Sequence, residues 1–177
     1  MGKNEFDLMV LGSLVLGPAH GYQLKKRITG SFGSVYPNLS NSVIYPRLAK
    51  FQQKGYIKCK IEPQANAPKR KIYWLTDEGF KRVKELTATP IKLTGAVQSG
   101  YTDELTVHIV FFGLISKEER RRIVEPFYDF TLKRLEEVDG KRERYSAVLD
   151  KFNVALLEYA GLVLKSTVDL YRKLLEI

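Results

Sequence analysis

Apolar residues recur at helical spacing from the start of the chain. In residues 5–17, Phe6, Met9, Val10, Leu14 and Leu16 share a side before Gly17-Pro18, which predicts a first helix stopped at that pair. Residues 21–29 place Leu24 and Ile28 four apart, with Lys25, Lys26 and Arg27 on the remaining faces and a break at Gly30, a short amphipathic second helix. After a Ser-, Gly- and Pro-rich loop, residues 40–55 carry Ile44, Leu48 and Phe51 at i, i+4 and i+7, with Ser40 or Asn41 as N-cap and Gly55 just past the end. The pattern then changes. Residues 56–62 and 70–75 are short, rich in β-branched and aromatic types and joined by the turn-prone PQANAPK, which predicts a two-stranded hairpin. Thr76 with Asp77 and Glu78 supplies a cap and two first-turn acids for a fourth helix to about Leu86.

Three helices, a hairpin and another helix, in that order, make the winged form of the helix-turn-helix, whose third helix enters the major groove while the hairpin tip lies on the backbone. Residues 87–101 have little charge and no clean period, and predict a linker. A short helix then spans residues 102–113, and Ser116 with Glu119 forms a capping box opening a long helix, kinked at Pro126, with Val124, Tyr128, Leu135 and Val138 on a/d spacing. Beyond Gly140 and the charged KRER run, a last helix over residues 151–177 aligns Leu156, Ala160, Val163, Tyr171 and Leu174, while Phe152, Tyr159, Leu162 and Leu170 widen the apolar side. At about 1.5 Å per residue it is about 40 Å long. One short partner within the chain does not cover so much apolar surface, so the surplus is expected to meet a second copy. The predicted fold class is mainly α with a small β-hairpin: a winged helix-turn-helix in residues 1–86, a linker in 87–101 and a helical dimerisation domain in 102–177.

Charge follows the same division. Residues 1–86 hold 15 Lys and Arg against 6 Asp and Glu, whereas residues 87–177 hold 14 against 14, so the whole net charge of +9 belongs to the first half. An excess confined to one domain suits a polyanion, and by itself leaves DNA, RNA and an anionic membrane surface open. No uncharged apolar run approaches the roughly 18 residues of a membrane span, and the short run at Leu8–Pro18 lacks a cationic lead and a cleavage site, so a cytoplasmic protein is expected. Cys59 is the only cysteine, which excludes an internal disulfide or a site of several thiolates. His20 and His108 stand apart from any metal-ligand spacing, and the chain has neither a P-loop nor a G-x-S-x-G. The acidic pairs lie at helix starts or on solvated faces. No enzyme activity, metal or cofactor is expected.

With Ile44, Leu48 and Phe51 inward on the third helix, Ser42, Pro46, Lys50 and Gln53 point outward and Tyr45 and Arg47 flank them. Small hydroxyls at a helix start admit base edges, and Lys or Arg reaches phosphate or guanine. A merely solvated face is the alternative. Lys69, Arg70 and Lys71 alternate across the hairpin tip, as phosphate contacts or as a solubilising edge, and Trp74 suits core packing.

The segments LGSLVLGPAHGYQLKKRI, SVIYPRLAKFQQKGYI and YWLTDEG resemble, in order and spacing, the pattern of the PadR family. The specific part is Tyr45-Pro46 inside the third helix, because Pro in a helix interior costs about 3 kcal/mol and is rarely there by chance. Residues 102–114 and the two long helices resemble the larger PadR subfamily with an extended helical C-terminal half. The resemblance implies a homodimer that represses a nearby operon by binding an inverted repeat in double-stranded DNA, and that releases it when a small aromatic or hydrophobic effector binds. By position it assigns Tyr22, Ser42, Tyr45, Pro46 and Lys50 to DNA and Lys69 and Arg70 to the wing. With Lys25, Asn41, Arg47 and Lys71 beside them, these form the candidate DNA-binding set. Leu156, Ala160, Val163, Tyr171 and Leu174 are the candidate dimer contacts. Tyr101, Val107, Phe111 and Phe112 either line an effector pocket or simply close the core between the halves. Val43 and Phe51 depart from the family pattern, and no tryptophan in the C-terminal helix matches the drug-stacking one of the compact subfamily. An RNA-binding or protein-adaptor use of the winged fold is the alternative function.

Overall fold

The computed structural model describes residues 3–33, 39–62, 70–93, 103–145 and 147–177. The hairpin turn through Lys69, most of the expected linker, Tyr101 and Thr102 lie outside the described residues. In chain order the elements are α1 (Lys3–Gly12), β1 (Ala19–His20), α2 (Gly21–Phe32), α3 (Asn41–Gln53), β2 (Ile57–Glu62), β3 (Arg70–Leu75), α4 (Asp77–Thr87), α5 (Asp103–Val110), a 3-10 turn (Phe112–Leu114), α6 (Lys117–Tyr145) and α7 (Lys151–Glu176). The class is mainly α with one small antiparallel sheet. Packing divides the chain into two compact units, one of residues 1–87 with 107–114 and one of 88–106 with 115–177, so Val107–Leu114 groups with the first unit rather than with the C-terminal residues. Among the described residues no helix is long and apolar enough to cross a membrane.

The first unit is built around α1, whose Phe6, Leu8, Met9, Val10 and Leu11 are all buried. A helix apolar nearly all round belongs inside a core. It ends at Gly12, earlier than the Gly17-Pro18 stop, and its continuation tightens into i,i+3 turns through Leu14 N–H to Leu11 O, Val15 N–H to Gly12 O and Gly17 N–H to Leu14 O. Two side chains explain the early stop. A Cβ at Gly12 would overlap the Phe111 ring, and the Arg27 guanidinium donates to the carbonyls of Ser13 (3.0 Å), Gly17 (2.8 Å) and Pro18 (3.4 Å), which the helix leaves unpaired. Leu16, expected inside, is consequently exposed.

Helix α2 runs through Gly30 to Phe32, because Leu24, Ile28 and Phe32 continue one buried row past the glycine. Helix α3 buries Ile44, Leu48 and Phe51, starts after Ser40 and is followed by Gly55 at φ 73°. The sheet has three strands in the order β1-β3-β2, not the expected two, since Ala19 and His20 pair with Tyr73 and Ile72. A strand of two residues leaves no periodicity to read. Opposed residues share a face, so Ile57, Cys59, Tyr73, Leu75 and Ala19 form the inner side and Lys58, Lys60, Trp74 and His20 the outer. Trp74 is half-buried there rather than in the core. Thr76 caps α4 through Gly79 N–H (3.0 Å), and α4 extends to Thr87, a buried helical residue rather than the first of a linker. In the same unit His108 is buried, its Nδ1–H donating to the Thr87 carbonyl at 2.9 Å. Burial holds its pKa below the ordinary histidine value, against the smaller opposing pulls of that hydrogen bond and of Glu5.

In the second unit α6 and α7 form an antiparallel hairpin, the Lys117 ammonium and Arg120 guanidinium donating to the carbonyls of Glu176 (2.9 Å) and Ile177 (3.1 Å) at the end of α7. The Ser116–Glu119 box is formed in both directions, at 3.2 and 2.8 Å. Helix α6 continues past Gly140 to Tyr145, with Asp139 and Arg142 pairing across one turn. Its buried row is Ile123, Val124, Phe127, Thr131 and Val138, while Tyr128 and Leu135 are only half-buried. Asp150 caps α7 by accepting from Phe152 and Asn153 N–H at 2.8 and 3.1 Å.

Candidate nucleic-acid interface

Helix α3 presents its start outward. Asn41, Ser42, Tyr45 and Pro46 are exposed, and the Ser40 and Ser42 hydroxyls share a hydrogen bond of 2.7 Å. Tyr45 is drawn against the start of α2: a Cβ at Gly21 would lie 2.7 Å from its ring, so only glycine admits this approach. Beside it Tyr22 is 52% exposed, and the Arg70 guanidinium of β3 sits 5.4 Å from the Tyr22 ring centre.

Tyr22, Tyr45, Arg70 and Lys71 thus border one open groove of 580 Å³, with His20, Gly21 and Tyr73 completing it. Burial, with Cys59 and Tyr45 adding to it, raises the Tyr73 phenol above its ordinary value. The exposed Lys58 and Lys60 extend positive charge along the outer face of the sheet. A cationic, aromatic groove bordered by the third helix and the wing strand suits a polyanionic backbone.

Other members of the candidate set stand elsewhere. Arg47 is removed from the outward face: it pairs with Asp7 of α1 at 2.9 Å and lies over the Phe6 ring at 5.3 Å, both groups mostly covered. Lys25 and Lys50 are half-buried. Lys69 is outside the described residues. His20, isolated in the sequence and the N-cap of α2, borders the groove as well, and a lone histidine offers no spacing that signals this.

Of the four candidate effector residues, Val107 is fully buried in the first unit's core and Phe112 is also buried, whereas Tyr101 is outside the described residues. Phe111 borders a cavity of 270 Å³ with Gly12, Phe32, Val110 and Leu114. Among the described residues no group of His, Cys, Asp and Glu is arranged to hold a metal ion.

Residues 10–85 match the model of the transcriptional regulator PadR-like family. This chain matches that family's model from the end of α1 into α4. It is 23% identical over 138 residues to the negative transcriptional regulator PadR of Bacillus subtilis, covering 78% of this chain and 73% of that protein. Among solved structures it is similar to Bacillus subtilis PadR in complex with operator DNA, at 20% identity and a TM-score of 0.49 over 99% of this chain and 98% of that one. It is also similar to Bacillus subtilis PadR in complex with p-coumaric acid, at 20% identity and a TM-score of 0.44 over 97% of each chain. A transcriptional regulator from Clostridium thermocellum is 26% identical, with a TM-score of 0.43 over 47% of this chain and 79% of that one. The family whose model matches residues 10–85 is one of transcriptional regulators, not of enzymes.

Proposed function

We propose that this chain is a PadR-like regulator, a cytoplasmic homodimeric repressor that binds an inverted-repeat operator in double-stranded DNA and is released by a small aromatic effector. The observation that carries the DNA reading is the groove in which Tyr45 of the third helix and Tyr22 of the second meet Arg70 and Lys71 of the wing. Asn41, Ser42 and Pro46, exposed on the same helix start, are the base-reading candidates, and Arg70, Lys71 and Lys69 the phosphate contacts. The relatives point the same way, one being a negative regulator and one a complex with operator DNA.

A second copy is supported by the outer side of α7. Phe152, Leu156 and Tyr159 are strongly exposed, and with Val163 and Leu170 they follow a 4-3 spacing suited to a partner helix. Tyr171, one of the expected dimer contacts, is instead fully buried against Phe127 of its own chain, ring centres 6.3 Å apart. Ala160 and Leu174 are half-buried and lie beside the exposed stripe.

The effector reading rests on the cavity beside Phe111. Its 270 Å³ fall just under the usual range for ligand pockets, about 300–1,000 Å³, and suit one small ring. Its wall includes Phe32, whose ring centre is 6.0 Å from that of Phe111, at the far end of α2, the helix that carries Tyr22 in its first turn. A ligand weakens DNA binding only by favouring a conformation that DNA does not.

The test is binding of the purified protein to duplexes from the region upstream of its own gene, followed by titration with phenolic acids. Salt-sensitive binding to one inverted repeat, reversed by the acid, is the expected result. Equal affinity for single-stranded RNA of the same sequence would point to the adaptor or RNA-binding alternative.

A further inference from the structure

His20 sits where the second helix and the wing are joined. Its backbone belongs to β1, paired with Ile72 of the wing strand, and the next residue begins α2. Gln23 fixes this junction from the helix side, accepting from His20 N–H at 2.8 Å. The ring is fixed as well. Nδ1–H donates to the Lys71 carbonyl at 3.1 Å, and Nε2 lies 3.4 Å from Glu62 Oε2 on β2. Held from two strands, the imidazole stacks on Tyr22 with ring centres 5.8 Å apart and planes 7° from parallel.

Tyr22 is half-exposed on the first turn of a helix, where a free side chain exchanges rotamers. Freezing it on DNA costs affinity unless the ring is already in place. His20, only 16% exposed in its side chain, supplies that placement from β1, and Arg70 lies over the same ring from β3. We propose that His20 is a positioning residue for DNA binding: it holds Tyr22 in the groove and ties the second helix to the wing, without itself contacting a phosphate. This rests on the DNA-binding reading above.

Fluorescence anisotropy of the full chain on a mixed-sequence duplex of about 30 base pairs tests it, comparing wild type, His20→Ala, Tyr22→Ala and the double variant. His20→Ala should weaken binding about threefold to tenfold when Tyr22 is present and less than about twofold when it is absent, the size expected for one pre-ordered side chain. The salt slope should stay within about half a unit of wild type, because no phosphate-binding cation has been removed. His20→Phe, which keeps the stack and loses both polar contacts, should recover part of the loss and remains informative if the alanine variant unfolds. An equal cost with and without Tyr22, or no cost at all, overturns the positioning role while leaving DNA binding intact. A wild-type protein that does not prefer duplex to its single strands overturns both.

Discussion

In the first unit, α1 is apolar on nearly every side, and α2, α3, α4, the sheet and residues from Val107 to Phe111 cover it, so its core closes within the chain. In the second, α7 carries two apolar stripes and α6 covers one. Leu164, Val168 and Tyr171 are buried, while Phe152, Leu156, Tyr159 and Leu162 are each more than 60% exposed. The same physics operates in both, and the number of covering elements differs. A unit with many partners for its central helix is complete alone; a two-helix hairpin with a second apolar stripe is not.

The sharpest way to break this contrast is to empty the covered stripe. Tyr171→Ala removes a fully buried aromatic packed edge-on to Phe127, and should destabilise the hairpin by about 3–5 kcal/mol, enough to abolish a cooperative thermal transition for it. The first unit should keep its own transition in calorimetry. Simultaneous loss of both transitions would show that the two units do not hold separate cores.

The uncovered stripe should respond in the opposite way. Leu156→Glu places a charge at a position that is 62% exposed, so the chain should fold as before. If that side meets a second copy, light scattering should fall from about 40 kDa to the 20.3 kDa of one chain. An unchanged mass would remove Leu156 from the interface.

A smaller effect separates the two kinds of residue bordering the groove. Arg70→Ala should weaken all duplexes about equally and lower the salt slope by about one for the lost phosphate contact. Ser42→Ala should leave the slope alone and cost operator binding about 1–3 kcal/mol more than random-DNA binding, if it reads a base. Equal losses on both DNAs for both variants would reassign Ser42 to the backbone.

What could be read in advance follows from how local each determinant is. Helices α2, α3 and α4 were legible because their buried rows and caps lie within a dozen residues, as in Ile44, Leu48 and Phe51 followed by Gly55. The end of α1 was not, since it depends on Phe111 meeting Gly12 from 99 positions away in the chain. On α7 periodicity revealed an apolar side but not which of two overlapping stripes its own chain consumes, so Tyr171 was grouped with Leu156. At the groove, the Gly21-Tyr22 and Tyr45-Pro46 pairs marked the place. Arg47 looked like their neighbour because spacing cannot reveal Asp7, and His20 did not stand out because its partners Lys71, Glu62 and Tyr22 come from three elements.

The smallest effect turns the comparison into a matter of pH. His108 is buried in the first unit, and burial lowers its pKa; the unfolded chain therefore takes up the proton first as pH falls, near the ordinary value of about 6.5. Between that value and the lower folded one, the unfolded state holds more protons, so stability is full above the unfolded pKa and declines through this window as the solution is acidified. Below the folded pKa this contribution no longer changes. The thermal midpoint of the first unit should thus begin to drop as the pH falls through about 6.5, and His108→Gln, which keeps a donor for the Thr87 carbonyl without a titrating ring, should flatten the drop. The second unit contains no part of this contact, and its midpoint should not respond to the substitution. A variant whose first transition shifts with pH as far as wild type does would assign the acid sensitivity to other groups.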